Sequence, residues 1–550
     1  MRGKHDIASR PGSKSSYPSF TISRIERIRD FAIACIVCAI LAVGIDSVCF
    51  LVLGKTSVGS WYDKYWIGFF FCCAFIIAAF YILRDKLADA PEYLYLVIVL
   101  VVGLFMAWSL SVSIVGWDTG IHYKAVLDFA DLDNEFDVSY SEMAFITTNL
   151  QAIAGDISSD LKGLYHLEWC LNYNDNGVFG IIAEPSAWNI LNGINYIPCA
   201  IVMFFCELLG LPFVIKHFLA VVPCVLIYAF VTFFGMRKLK SGKMLYAVIA
   251  LFPTAVFLAA NYGYQYWCTS FFLYGFASLA SFLQQKRPVP FWEIAKMLLA
   301  FVLACLSKVA YAPLILLALL VPRACFSSKK ACYAYRISIL CVTFLVALVF
   351  LIPILSSGLG KGDTRGGGQI DPTGQLLFIL SNPIDYLARL FVFMAPPFCI
   401  ADDNIVSGYL SLSGMQGFMC SYGYLNPVPN VFFYIVLGLL LITTLTDKNR
   451  DIAYGYAPAV ACIIVSVVNI MLIVTYMYMI FNNVGELAFR GIQSRYLLPF
   501  VFPTLVFLGS HKWGLNGSRV PSSVYNAIVL AIMAFVLMGS WWACYIVNLY

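Results

Sequence analysis

Charge is what this chain has least of. Lys and Arg together number 35 and Asp and Glu 30 among 550 residues, or 12% of the total, where a soluble domain carries about a quarter. With 61% hydrophobic residues, that deficit excludes a soluble globular protein and leaves a polytopic membrane protein. Segments of about ten residues with alternating polarity are also missing, which excludes a transmembrane barrel. No tandem repeat is present. The eighteen cysteines lack zinc-ligand spacing: Cys35 and Cys38 form a C-x-x-C inside the first apolar run, where cysteine behaves as a small hydrophobe. The net charge of +5 is spread over short loops, which is a positive-inside bias and not a nucleic-acid footprint.

What recurs instead, from Phe31 to the end, is apolar runs of the roughly 17 to 25 residues that a helix needs to cross the bilayer. The first thirty residues, too long and interrupted for a cleaved signal peptide, read as a basic cytoplasmic tail. Spans are expected at about Phe31–Leu53, Tyr65–Leu83 and Tyr93–Val115. The basic loop "MRKLKSGK" (236–243) must return to the tail's side, so the chain crosses an odd number of times after Val115. Two apolar runs are available there. The shorter, Ile194–Leu209, holds Pro198 and Glu207 and is expected to lie along the outer interface or to dip in and return, while Pro212–Gly235 spans.

Later runs alternate: Leu245–Ala260 out to "NYGYQYW", a return to "QQKRP", two short helices meeting at "CLSKVAY", Ile337–Leu355, Val431–Thr446, Tyr456–Phe481, Leu497–Gly509 and about Tyr525–Val547. The expectation is an all-α bundle of about thirteen crossings, N-terminus cytoplasmic and C-terminus outside. The polar mass gathers in two outer loops, about 116–190 and 356–430, the second with an interfacial helix near Asp385–Met394. Cys170, Cys199, Cys399 and Cys420 fall in outer segments, so the sequence allows one or two disulfides among them without fixing a pairing.

Chemistry-bearing residues collect on that outer face. In "VGWDTGIHYKAV" (115–126), Asp118 and His122 are four apart, one helical turn; the pair suits a general base or a ligand pair, and Asp118 equally suits a helix N-cap. Lys308 stands at the break in "CLSKVAY", either snorkelling or waiting for an anion. Arg495 and Arg490 flank "GIQSRYLLPF"; a guanidinium is a donor fork for phosphate and also an interfacial anchor. Lys361, Asp363 and Arg365 in the glycine-rich "SSGLGKGDTRGGGQIDPTG" read first as solvated. A carboxylate and two cations on one face are what transfer from a lipid-linked phosphate donor requires.

"WDTGIHYKA" resembles the P-D-E-x-x-H segment of a bacterial family of multispanning proteins, known as a domain of unknown function and grouped with the GT-C class of membrane glycosyltransferases. "LLGLPFVIKHFLAVVPCVLIYAFVTFFGMRKL", "ALFPTAVFLAANYGYQYW", "LACLSKVAYAPLILLALLVPR", "YGYLNPVPN" and above all "GIQSRYLLPF" follow in that family's order, the last close to its G-x-Q-G-R-Y-x-x-P signature. The likeness runs from about Tyr93 to Leu508 and implies a GT-C-like core over residues 93–510. Residues 31–92 would be two added spans with an inner loop, and 511–550 an inner loop and last span.

On that resemblance Asp118 is the catalytic carboxylate, His122 and Tyr123 bind or orient the acceptor, and Lys308, Arg495 and Arg490 hold the donor phosphate; Tyr264, Gln265, Gln493 and Arg365 form a second tier. The implied activity moves a sugar from a polyprenyl-phosphate-linked donor to a cell-surface or lipid-linked glycan outside the cytoplasmic membrane, with the bilayer and no nucleic acid as partner. The alternatives are a transporter or flippase, or a polymerase, of lipid-linked saccharides. Thr119 stands in place of the family's Glu, Gln265 in place of an Asp and Ser494 in place of a Gly. The lost acids put a divalent metal in doubt, and no cofactor is otherwise called for.

Overall fold

The computed structural model describes residues 64–110, 116–131, 193–285, 287–357, 370–394, 412–423, 425, 428–447, 454–509 and 520–546, with pieces at 29, 32–33, 36, 138–139, 142, 145–146 and 178–179. The basic tail, nearly all of the first expected span, Cys170, Cys399 and Lys361 to Arg365 lie outside the described residues. What is described is built of helices and their connections, apart from one antiparallel pairing of two residues each, β1 (Val138–Ser139) with β2 (Val178–Phe179), within the long polar stretch 116–190.

Seven helices among the described residues are long and apolar enough to cross a membrane, or eight if one bent pair is counted as a span. They include α1 (Lys64–Leu83) and α2 (Glu92–Ser109). Several of the other expected crossings, among the described residues, fall on shorter or interrupted helices, for local reasons. The expected single run Leu245–Ala260 is two helices, because Pro253 has no N–H to continue the first and forces Phe252 out of the helical region (ψ 133°). The run 292–322 breaks at Lys308 (φ −154°) and continues as a 3-10 segment, Val309–Leu320. A 3-10 helix rises about 2.0 Å per residue, so this twelve-residue segment reaches about 24 Å, well beyond what an α-helix of that length covers.

Helices α3 (Thr119–Ala130), α4 (Ile197–Leu208) and α5 (Phe213–Lys238) follow α2. α4 runs antiparallel to α5: Glu207 meets Lys216 at 2.6 Å, and farther along Cys199 Sγ lies 3.2 Å from Cys224 Sγ. The segment expected at the interface is therefore half of a hairpin, with Ile201, Phe205 and Leu208 exposed along it. Next come α6 (Lys243–Ala250) and α7 (Pro253–Ala259), apolar on every side and buried at the bundle centre, then α8 (Gln265–Gln285), α9 (Phe291–Ser307) and α10 (Lys329–Ser357). α11 (Pro372–Ser381) and α12 (Pro383–Met394) meet at 104°. α12 buries Tyr386, Leu390 and Phe393 and exposes Ile384 and Phe391, the two-faced pattern expected of an interfacial helix. The chain closes with α13 (Leu412–Met419), α14 (Asn430–Thr446), α15 (Tyr456–Phe481), α16 (Leu498–Gly509) and α17 (Ser522–Cys544).

The basic connections gather at one end of the bundle. There Lys243 pairs with Glu92 (2.8 Å), Lys238 with Glu293 (2.5 Å), and Asn526 donates to the Leu87 carbonyl (2.7 Å). Asp447, just past α14, accepts the backbone N–H groups of Met244 (2.5 Å) and Leu245 (2.9 Å), capping α6 from two hundred residues away. Burial pushes its carboxyl up to about 6, against the opposing pull of those N–H groups and Lys243. A carboxyl that binds its proton more tightly when folded stabilises the fold increasingly as pH falls through 6. Wild-type thermal stability in detergent should therefore rise relative to Asp447→Asn on going from pH 7.5 to pH 5. A gap that moves the other way would overturn the burial assignment.

Candidate functional site at the opposite end

Helices α5 and α8 and the 3-10 turn Ser494–Leu497 that leads into α16 carry their other ends to a polar cluster. It begins with the turn after α2. Asp118 occupies the N-cap position of α3, but its side chain makes no capping bond. It has φ 57° and ψ 22°, the left-handed region, and is the one non-glycine with positive φ among the described residues. Aspartate tolerates that region better than most residues, yet it still costs on the order of 1 kcal/mol, and such strain collects at functional sites. The backbone thus turns the carboxylate away from its own helix and toward Arg495, whose Nη2 lies 3.5 Å from Asp118 Oδ2. Asp118 stands at the N-cap position without capping, its carboxylate beside Arg495.

Arg495 is 3% exposed. Its guanidinium sits 4.7 Å over the Trp117 ring and 5.9 Å from that of Tyr496, and its Nε has no hydrogen-bond partner. Lys308 reaches the same place from the break between α9 and the 3-10 segment. Its Nζ donates to the Tyr264 hydroxyl (3.1 Å) and lies 3.1 Å from the Tyr496 ring centre, with Tyr311 at 5.8 Å. Trp117 and Tyr496 flank the Arg495 guanidinium, and Tyr264, Tyr311 and Tyr496 surround the Lys308 amine, an aromatic setting of the kind that receives cations. His122 joins through Tyr264, ring to ring at 5.9 Å, and its Nδ1 shares a 2.6 Å hydrogen bond with Tyr196.

Asp118, His122, Tyr264, Lys308 and Arg495, drawn from four separate stretches of sequence, are therefore neighbours. Gln265 is buried beside them; a Cβ on Gly263 would come 2.7 Å from its Oε1 and 3.7 Å from the His122 ring. Gln493 supplies the carbonyl that starts the 3-10 turn carrying Arg495, accepting from Tyr496 N–H (3.1 Å). Ser494 packs under α13, where a Cβ on Gly417 would meet its Oγ at 2.7 Å.

Two of the expected residues face elsewhere. Arg490 pairs with Glu486 (2.5 Å) and donates its N–H to Asn482 (3.0 Å), which organises the loop before the 3-10 turn. Tyr123 donates to Glu142 (2.6 Å) and stacks on His217. Glu142 is fully buried and pairs with Lys216 (2.7 Å), which also holds Glu207. In the sequence, Glu207 and Lys216 are an acid and a base nine residues apart across "LLGLP", a signal for their pairing, whereas nothing in the polar loop singles out Glu142. Removing the shared cation from a buried triad leaves two uncompensated carboxylates, so Lys216→Met should destabilise by about 3–5 kcal/mol. Glu207→Gln, which keeps an acceptor for Lys216, should cost much less. Thermal unfolding of the two variants compares them directly.

No curated protein and no solved structure matches this chain. A family model does, over residues 189–504, a stretch that includes Tyr264, Gln265, Lys308, Arg490, Gln493 and Arg495 and begins after Asp118 and His122. The chain belongs to that family, whose description is "Predicted membrane protein (DUF2142)".

Proposed function

We propose that this membrane protein is a glycosyltransferase of GT-C type, a bundle of about thirteen crossings that takes a sugar from a polyprenyl-phosphate donor and adds it to a surface or lipid-linked glycan on the outer face of the cytoplasmic membrane. The supporting observation is the contact of Asp118 with Arg495, with Lys308 beside them, at the end of the bundle away from the basic loops. A carboxylate, an aromatic-braced guanidinium and a lysine amine beside it match the charge that develops in such a transfer.

The acceptor oxygen attacks the anomeric carbon and its proton passes to the Asp118 carboxylate. The bond from the anomeric carbon to the phosphate oxygen breaks, and the electron pair leaves with the polyprenyl phosphate, held by Arg495 and Lys308. The ion pair gives this sequence an order. The donor phosphate competes for the guanidinium, which releases Asp118 to act as base only when a donor is bound. The arrangement asks for no soluble nucleotide sugar.

Deleting the gene and analysing the surface polysaccharide tests the reading. Loss of a single side-branch sugar is the expected result. Loss of the whole polymer would favour polymerisation or export, and an unchanged glycan would sink the proposal.

A further inference from the structure

Beside the charged cluster lies a set of neutral polar atoms whose partners are missing. Thr119 Oγ1, Asn195 Oδ1 and Gln265 Nε2 make no hydrogen bond, in side chains that are 3%, 0% and 6% exposed. Buried polar groups in folded proteins are almost always paired, so three together need an explanation. They lie along one seam. The turn 116–119 faces the segment Asn261–Gln265: a Cβ on Gly116 would meet both Thr119 Oγ1 (2.2 Å) and Asn261 Oδ1 (2.8 Å). Asn195 donates its Nδ2 to the Gly263 carbonyl at 3.3 Å, leaving its Oδ1 to spare. The spare set is one amide donor, one amide acceptor and one hydroxyl that can do both. It is uncharged, although Asp118 adjoins Thr119 in the chain.

We infer that Thr119, Asn195 and Gln265 form a sugar-ring subsite beside Asp118 that takes a neutral, hydroxyl-rich ring and discriminates against one carrying a carboxylate. Ring hydroxyls both donate and accept, which is what this mixed set requires. A carboxylate in the same place would face an amide oxygen and a hydroxyl with the Asp118 carboxylate adjoining, while Arg495 and Lys308 are taken up by the donor phosphate. The inference rests on the glycosyl-transfer reading above and adds the substrate class to it.

The test uses the full chain in lipid nanodiscs. Probes are citronellyl phosphate, its glucosyl, mannosyl, galactosyl and arabinosyl esters, its glucuronyl ester, and the corresponding neutral citronellyl glycosides without phosphate. At least one neutral glycosyl phosphate should bind about tenfold tighter than citronellyl phosphate, the size of effect that pairing a buried polar group produces. Gln265→Leu and Thr119→Val should each reduce that gain and leave citronellyl phosphate binding unchanged, and glucuronyl should show no gain.

Without ligand, the unfolding midpoint of Gln265→Leu should equal or exceed that of wild type, since the variant removes an unpaired amide; a residue that served only the fold would lower it. The inference is overturned if no neutral sugar adds to phosphate binding, if the gain survives both substitutions, or if glucuronyl gains equally. In those cases intact citronellyl phosphate binding leaves the phosphate clamp standing. If citronellyl phosphate fails to bind while a neutral glycoside binds in a Gln265-dependent way, the subsite stands and the phosphate-donor reading falls.

Discussion

Asp118→Asn should abolish sugar transfer, by on the order of a thousandfold or more if the carboxylate is the base, while the protein remains folded in the membrane. Asparagine is the apt replacement because it shares aspartate's tolerance of the left-handed region that this position occupies at φ 57°. Asp118→Ala would mix lost chemistry with added backbone strain. The carboxylate makes no cap bond to α3, so the helix loses nothing by the change. The variant also has a second, opposite effect. With the carboxylate gone, Arg495 has no anion to give up when a phosphate arrives, and polyprenyl phosphate should bind more tightly than to wild type. Transfer measured with a labelled donor and binding measured with the lipid phosphate alone separate the two effects. Retained transfer by Asp118→Asn would refute the assignment.

Much of this site was legible because the chain is so poor in charge. In a sequence with 12% charged residues, an ionisable group inside or at the mouth of an apolar run stands out, and Asp118, Lys308 and Arg495 were found that way. Their partners were not. Tyr264 is singled out by the resemblance, though not as a ring beside Lys308; with aromatic residues at 16% of the chain, only position in space marks Trp117 and Tyr496 as the rings around Arg495 and Lys308. Glu142 was equally hidden, one acid among many in a long polar loop, paired in its buried place with Lys216 from a helix more than seventy residues later. Helix type was hidden as well. Apolar periodicity does not distinguish the 3-10 geometry of Val309–Leu320 from α, although the proline at 313 and the break at Lys308 were there to read. The orphaned atoms of Thr119, Asn195 and Gln265 are a property of packing alone. In the sequence, the first and last were noticed only as lost acids.

Arg495→Gln should lower transfer by about 10²–10³-fold, the usual loss when one preorganised donor to a developing anion is removed. Unlike Asp118→Asn it should also weaken binding of polyprenyl phosphate. Arg495→Lys should recover only part of either loss, because an ammonium keeps the charge but not the planar surface that lies 4.7 Å over Trp117 or the fork of donors with its unused Nε. Stability is a lesser issue. Asp118 keeps 22% of its side-chain surface exposed, so solvent can compensate the unpaired carboxylate in a way it could not for the triad at Lys216. The two residues act as one unit in the proposed order of events, since Arg495 both restrains Asp118 and receives the phosphate. Their effects on transfer should then be far from additive, with Asp118→Asn/Arg495→Gln hardly slower than Asp118→Asn alone. Losses that simply multiply would mean that the 3.5 Å contact is incidental and that the two side chains serve separate steps.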